Sequence, residues 1–356
     1  MKVVLLMSGG IDSAVSAYLL QKQGYDIAAV NMIVWSQHSG EAVKGRKDSC
    51  FSPDKAAQMK RVGDLARRMG IEVTFIDCSQ EFESEVLGNF RSEYMNGRTP
   101  NPCVICNRMV KFGALLDKAR SAGIEWDMAA TGHYARIDHI GDRFCLRRAV
   151  DELKDQSYFL YRLSQQQLSR IIFPLGCMLK TDVRKLDVAQ GFHEEGQSES
   201  QDFYGGPYID LLDAAPRPGD IVDLAGKVLG QHQGFWNYTI GQRKGLGIAS
   251  PRPLYVLALR PESNEVVVGY EESTESASVR ASDVNWVSIA SAEELAHRSG
   301  LKAKIRSAGK ALPCTASFAD GVLTAIFDQG VNAPTPGQSL VIYDEAGYVL
   351  CGGMII

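Results

Sequence analysis

Residues 3 to 24 carry the arrangement that limits this chain most. Val3-Val4-Leu5-Leu6-Met7 is a short apolar run of the kind that forms a strand buried on both faces of a parallel sheet. Ser8-Gly9-Gly10-Ile11-Asp12-Ser13 follows at once. From Ser13 the spacing of Val15, Tyr18, Leu19 and Lys22 predicts one face of a helix, which Gly24 ends. Strand, glycine turn and helix in direct succession make an anion site. The two glycines let the backbone turn tightly, its N–H groups converge, and the helix N-terminus adds positive potential. Phosphate is the expected guest.

A nucleotide loop of the G-x-x-x-x-G-K-[ST] type supplies a lysine to the terminal phosphates, and none stands at that place here, which disfavours transfer of the terminal phosphoryl group. Ser8, Gly9, Gly10, Asp12 and Ser13 instead resemble the S-G-G-x-D-S loop of the N-type ATP pyrophosphatases, or PP-loop proteins. That resemblance implies a grip on pyrophosphate and activation of a substrate by adenylation.

Downstream, Ile27 to Trp35 reads as a second buried strand, Ser36 to Asp48 as polar loop ending near Cys50, Pro53 to Gly70 as a helix, and Val73 to Asp77 as a third strand. Strands alternating with helices predict a parallel sheet covered on both faces, with ligands beyond the carboxyl ends of the strands. The glycine turn, Asn31-Met32 and Cys78 emerge there. Met32 is either a platform for an adenine ring or an ordinary core methionine. In Asn101-Pro102-Cys103-Val104-Ile105-Cys106-Asn107-Arg108 the prolines exclude regular helix up to Cys103. The Cys-x-x-Cys beside Arg108 and Lys111 suits either a reactive thiolate or two metal ligands. Met128 to Arg136 reads as a strand ending in a small-residue turn; Gly132 allows close approach of a ligand, and His133 is a site residue or a satisfied structural histidine. Leu163 to Ile172 and Thr181 to Gln190 are predicted helices, the second capped by Thr181 or Asp182.

From Pro207 the pattern turns to short β runs: residues 220–223, 227–230, 254–259 and 265–269, then five more between Leu301 and Cys351 that suggest a barrel or sandwich. Between them, Gly234 to Gly247 sets Phe235, Trp236 and Tyr238 beside Arg243 and Lys244. It reads either as an RNA-contacting loop or as a buried tryptophan in a glycine-rich hairpin. The expected division is 1–206, a nucleotide-binding α/β domain; 207–275, a small central domain; and 276–356, a β-barrel domain. A length of 356 residues accommodates it. No signal or membrane-crossing run is evident, so a cytoplasmic protein is expected, and its 8 irregularly spaced cysteines read as thiols, ligands or catalysts rather than a disulfide framework. A formal net charge of −4 gives no general attraction to nucleic acid, so RNA binding would need local basic patches.

In order along the chain, Ser8 to Ser13, Asn101 to Lys111, Thr131 to Arg136, Asp155 to Gly176, Pro218 to Gly247 and Pro336-Gly337-Gln338 together resemble the tRNA-specific 2-thiouridylases. The resemblance implies a Rossmann-like PP-loop domain, a small central domain and a C-terminal β-barrel. It also implies ATP and Mg2+ as cofactors and tRNA as partner. The base O2 of the wobble uridine would attack the α-phosphate of ATP, and a sulfur nucleophile would then displace AMP. Asp12 and Ser13 would belong to the phosphate loop, Met32 and Gly132 to the nucleotide, and Cys106 would be the catalytic cysteine. His133, Lys154, Asp155, Gln156, Arg306 and Gln338 would face tRNA.

One departure matters. The family pattern S-E-S-Q-D-x-C ends in a second catalytic cysteine that carries the persulfide sulfur, whereas Ser198 to Phe203 is followed here by Tyr204, which cannot carry it. Cys103, in turn, occupies a position where some members have aspartate. Either another thiol, Cys50 or Cys78, replaces the missing one, or Cys50, Cys103 and Cys106 hold a [4Fe–4S] cluster with one iron open to sulfide. The cluster is the preferred reading, with Cys145, Cys177, Cys314 and Cys351 as structural thiols. The sulfur would come from a persulfide carrier protein or free sulfide. Another adenylating tRNA-modification enzyme and a non-catalytic tRNA-binding relative are the alternatives.

Overall fold

The computed structural model describes residues 1–35, 49–51, 55–196 and 203–356. The loop expected at 36–48, the helix start at Pro53 and the Ser198 to Asp202 motif lie outside them. The chain divides into two compact units: Met1–Val86, Pro102–Pro207 and Gly347–Val349 form the first; Leu87–Asn101, Tyr208–Ala346 and Leu350–Ile356 form the second.

The first unit is built on a parallel five-stranded sheet: β1 (Lys2–Leu6), β2 (Asp26–Ile33), β3 (Val73–Asp77), β4 (Met128–Ala130) and β7 (Ile171–Ile172), in the order β3-β2-β1-β4-β7. Chain order reverses at β1, with β2 on one side and β4 on the other. The crevice at its carboxyl end is therefore the topological switch point of an open α/β sheet. Helix α1 (Ile11–Lys22) leaves from this crevice. The spacing predicted one buried face for α1, but two are buried: Ala14, Ala17 and Leu20 pack on the sheet with Val3, Leu5 and Ala29, while Ile11 and Val15 pack on Tyr134, Leu175 and Val183. Its small residues suit a helix held between two layers. Helix α2 (Lys55–Met69) adds Val62, Leu65 and Ala66 to the sheet core.

Three local expectations change. Ile171-Ile172 is not the end of a helix but the edge strand β7, since the helix preceding it closes after one turn, Gln165–Leu168. A capping box of Ser164 and Gln167 starts that turn. Residues 128–136 are two elements rather than one, for β5 (Ala135–Ile140) turns away to pair antiparallel with β6 (Arg143–Arg148). Finally, helix begins at Pro102 itself, whose missing N–H costs nothing in a first turn.

The second unit contains a four-stranded sheet, β8 (Gly219–Val222), β9 (Val228–His232), β10 (Tyr255–Arg260) and β11 (Glu265–Gly269), ordered β10-β11-β8-β9. It also contains a closed six-stranded barrel: β12 (Glu275–Trp286), β13 (Lys302–Lys304), β14 (Leu312–Ala319), β15 (Val322–Asn332), β16 (Ser339–Tyr343) and β17 (Val349–Ile355). Of these, β12 had escaped notice because its Ser, Ala and Glu residues give a weak alternation; it is nevertheless the seam that closes the barrel against β15 and β17. Leu323, Leu340, Ile342 and Leu350 fill the interior with Cys314 and Cys351, both buried.

Candidate nucleotide and thiol site

In the turn between β1 and α1, Gly9 adopts φ +81, and a Cβ there would stand 2.8 Å from Cγ2 of Val62 on α2, so no other residue fits. Ser13 is the hub of the turn. Its hydroxyl accepts from Gly9 N–H at 3.1 Å and donates to the Gly10 carbonyl at 2.9 Å. Only a long 3.4 Å contact to Ser8 Oγ occupies the Gly10 N–H, which lies on the exposed side. With the unpaired first-turn amides of α1, this forms a cup of N–H donors suited to phosphate oxygens.

Lysine is supplied to this cup from elsewhere in the chain. Lys180 opens the helix Lys180–Ala189 and is buried, and its Nζ lies 2.6 Å from Asp12 Oδ1 and 5.6 Å from the Tyr134 ring centroid. Tyr134 OH donates to the same Asp12 oxygen at 2.9 Å. A carboxylate beside a phosphate cradle would repel the ligand, and Lys180 cancels that charge. Sequence reasoning missed Lys180, although a lysine in a first helical turn opposes the helix dipole and so marks a residue held there for another purpose. The helix is not capped by Thr181 or Asp182 as expected; the Asp151 carboxylate accepts from Lys180 N–H instead, at 2.8 Å.

Gly132 has a structural reason to be glycine. A Cβ would meet the carbonyl carbon and Cβ of Asp12 at 2.9 Å, so the exit of β4 lies directly against the phosphate loop. Met32 is half-buried near the end of β2, opposite Ile76. His133 follows Gly132, its Nδ1 2.7 Å from Thr131 Oγ1 and its ring between Phe112 and Phe173. Burial, helped by the nearby Lys111 charge, holds His133 well below the usual histidine range, so it is a neutral ring at physiological pH.

Of the residues expected to face tRNA, Asp155 turns its side chain fully inward. It accepts from Ala149 N–H, Ser157 N–H, Ser157 Oγ and Arg148 Nε. Gln156 holds Tyr134 from both sides, accepting from its N–H through Oε1 and donating its own N–H to the Tyr134 carbonyl. Gln156 thus holds the Tyr134 backbone and Asp155 the turn around it, while the half-buried Lys154 and the exposed Leu153 form the outer part of the turn.

Cys103 and Cys106 lie one turn apart on the continuous helical run Pro102–Ile105, Cys106–Ala114 and Leu115–Ser121. Its middle part is π-wound and breaks helical geometry at Gly113. Cys106 and Asn107, at its start, are buried. Gln167 Nε2 satisfies the carbonyls of Arg108 and Phe112 at 2.8 and 3.0 Å. Burial pushes the Cys106 thiol up to about 12 despite the opposing pull of Lys111, so the activated thiolate expected from the basic neighbours is not realised at Cys106.

Tyr204 is buried against Phe51. Phe51 pairs alongside Tyr204 as a parallel bridge, and Phe51 N–H donates to the Phe203 carbonyl at 2.8 Å. The Phe51 ring sits among Trp35, Phe82 and Tyr204 at centroid distances of 4.5, 5.3 and 6.3 Å. This aromatic cluster fixes the segment, so the neighbouring Cys50, exposed, stands one residue along from the partner of position 204. Cys78 is buried, and desolvation pushes its thiol up to about 11. Among the remaining thiols Cys145, Cys314 and Cys351 are buried as expected, but Cys177 is exposed.

In the second unit Arg243 and Lys244 are exposed, beside a groove of 650 Å3 lined by Leu246, Ile248, Pro251 and Arg252. Phe235 and Trp236 are buried, which decides the aromatic part of that loop in favour of core. Arg306 donates to the carbonyls of Asn332 and Ala333, and Gly241 approaches so closely that a Cβ would lie 2.9 Å from Ala333. Gln338 Nε2 donates to the carbonyls of Thr99 and Pro100 at 2.9 and 3.3 Å, tying down that turn.

Thiol sulfurs are the right donors for an iron–sulfur cluster, and Cys50, Cys103 and Cys106 all act electrostatically on Lys111. Yet among the described residues no three His, Cys, Asp or Glu side chains are gathered so as to hold a metal ion. The three thiols as they stand therefore do not fit a cluster. The same observation bears on Mg2+: Asp12, the loop's carboxylate, is already bonded through Oδ1, so an ion here would be held chiefly by phosphate oxygens and water. No described helix is long and apolar enough to cross a membrane.

Three family models match in succession: a tRNA methyl transferase HUP domain over residues 1–204, a tRNA methyl transferase PRC-barrel domain over 212–270, and an aminomethyltransferase β-barrel domain over 276–356. Among curated relatives, the tRNA-specific 2-thiouridylase MnmA of Endomicrobium trichonymphae is 42% identical over 363 residues, covering 100% of this chain and 99% of its own. That of Geobacter metallireducens is 42% identical, covering 99% and 96%, and that of Syntrophomonas wolfei is 41% identical, covering 100% of both. With similarity at that level over the full length of the chain, and family models matching 1–204, 212–270 and 276–356 in succession, the chain belongs to the tRNA-specific 2-thiouridylase family.

Proposed function

We propose that this protein is an ATP-dependent tRNA-uridine 2-sulfurtransferase that adenylates O2 of the wobble uridine and replaces AMP by sulfur. The observation that carries the reading is an anion cup with a buried lysine at its rim, in a chain alike over its full length to enzymes named for this reaction. Ser8, Gly9, Gly10, Asp12 and Ser13 hold the pyrophosphate portion of ATP. Lys180 neutralises Asp12 and faces the charge that develops on the leaving pyrophosphate. Met32 and Gly132 border the nucleotide, and Mg2+ supplies further neutralisation when bound. Transfer RNA is met by His133 and the 154–156 turn in the first unit and by Arg243, Lys244, Arg306 and Gln338 in the second. The division into 1–206, 207–275 and 276–356, supported by the succession of family matches, and a cytoplasmic location belong to the same proposal.

Sulfur handling falls to Cys50, Cys103 and Cys106. The pairing of Phe51 with Tyr204 favours Cys50 over Cys78 as substitute for the absent cysteine, since it places Cys50 beside that position and in solvent. The route that suits these three thiols is a rearranged relay in which one carries a persulfide and another resolves it, since as placed they do not gather to hold a [4Fe–4S] cluster. Anaerobic purification with iron and sulfide analysis tests this; iron and sulfide in stoichiometric amount in an active protein would overturn the relay. Transfer RNA-dependent release of pyrophosphate and AMP from ATP tests the reading as a whole. Release of ADP instead, or no release, overturns it; no release leaves a non-catalytic tRNA-binding relative.

A further inference from the structure

His193 has no part in the chemistry derived above, yet both of its ring nitrogens are engaged. Nε2 lies 3.0 Å from the carbonyl oxygen of Gly9, in the phosphate loop, and Nδ1 lies 2.8 Å from Asp187 Oδ1. Both side chains are buried, at 8% and 1% exposure. The Gly9 carbonyl can only accept, so Nε2 must carry a hydrogen. Whether the proton shared with Asp187 rests on Nδ1 or on the carboxylate, Nε2–H still points at Gly9. The other Asp187 oxygen has no hydrogen-bond partner among the described residues, so this carboxylate is committed to His193.

The chain delivers this ring by a rigid route. Asp187 lies in the helix that Lys180 opens, and Gly191 ends that helix with φ +67. Arg68 of α2 donates to the carbonyls of Gly191 and Phe192 at 3.2 and 2.8 Å, and Phe192 packs edge-on against Tyr18 of α1. A trans peptide is planar, and its C=O and N–H point in opposite directions. Anchoring the Gly9 carbonyl therefore aims the Gly10 N–H away from His193, toward the exposed side of the loop. Two glycines in succession would otherwise let this peptide rotate at little cost.

We infer that His193, oriented by Asp187, is a positioning residue that locks the Gly9–Gly10 peptide with its N–H facing the pyrophosphate portion of ATP. The inference rests on the proposed role of the loop, but its test does not need the thiolation reaction. The full-length protein and its His193→Leu and His193→Gln variants are titrated with magnesium pyrophosphate by calorimetry, with thermal unfolding as the control. Both replacements fill the space, but only glutamine presents an N–H where Nε2 stands. Leucine is expected to weaken pyrophosphate binding roughly 10- to 100-fold and to slow adenylation by a similar factor, while glutamine stays within about threefold of wild type. Equal behaviour of the two variants, or wild-type affinity in the leucine protein, overturns the inference. Should the leucine variant not fold, His193→Ala takes its place against glutamine under the same criteria. If the wild type binds pyrophosphate in this pattern but forms no thiolated tRNA, the proposed function fails and the positioning role stands.

Discussion

Replacing Lys180 by methionine removes the charge at the phosphate cup while keeping most of the apolar stem. Lys180 and Asp12 are 2.6 Å apart, with side-chain exposures of 7% and 33%. Losing one partner of a fully buried pair costs about 3–5 kcal/mol, but water reaches Asp12, so a loss of roughly 2–3 kcal/mol is expected. For a unit of this size that is a fall in Tm of about 5–10 °C. The catalytic effect should be larger than stability explains. A preorganised charge aimed at a leaving group is worth roughly 100- to 1000-fold in kcat. A double variant, Lys180→Met with Asp12→Asn, separates the two effects, since it removes the stranded carboxylate charge and should regain stability without regaining rate. The assay is tRNA-dependent pyrophosphate release at saturating ATP, with thermal unfolding in parallel. A Lys180→Met protein within threefold of wild type in kcat would refute the argument, as would a double variant that recovers activity along with Tm.

Other outcomes follow from the same geometry. Gly132→Ala places a Cβ 2.9 Å from the Asp12 backbone, and should cost about 1–3 kcal/mol of stability and at least tenfold in ATP affinity, measurable by unfolding and calorimetry. Cys50→Ser should abolish 2-thiouridine formation while sparing pyrophosphate release, whereas Cys78→Ser should change the thiolation rate less than threefold; a reversed pattern would remove Cys50 from the sulfur step. His133 is held neutral well below its ordinary 6.5, so the unfolded chain binds the extra proton first as pH falls. Its contribution is complete above about pH 6.5 and declines below it, by up to about 1.4 kcal/mol per pH unit. Denaturation curves of His133→Asn should accordingly lose less stability than wild type between pH 6.5 and 5.

Much of the first unit was legible because its signals are local. The apolar runs at Val3 to Met7 and Ile27 to Trp35 supply inner parallel strands and Val73 to Asp77 the half-buried edge strand beside them, and Gly9, at φ +81, marks a turn that favours glycine. What escaped the sequence depends on partners far along the chain. Lys180 reaches Asp12 across 168 positions, and His193 reaches Gly9 across 184. Asp155 and Gln156 were expected to face tRNA, and only the folded turn shows how many backbone groups they satisfy. The Cys103–Cys106 segment read as either a reactive thiolate or two metal ligands, and the first reading leaned on neighbouring cations, which are visible in sequence where burial is not. Conversely, Tyr204 stood out as a loss, and only the folded chain shows that Phe51, next to Cys50, pairs with it.

The central claim is that ATP bound at this loop adenylates O2 of the wobble uridine of tRNA with release of pyrophosphate, and that sulfur from a donor then displaces AMP. It is tested most directly by incubating the protein with unmodified tRNA, Mg-ATP and either sulfide or a persulfide donor, then digesting the tRNA and weighing its nucleosides by mass spectrometry. The expected result is 2-thiouridine confined to the first anticodon position, formed only with ATP and equal in amount to the AMP released. Uridine left unchanged with both sulfur sources, or a product carrying nitrogen in place of sulfur, would contradict it.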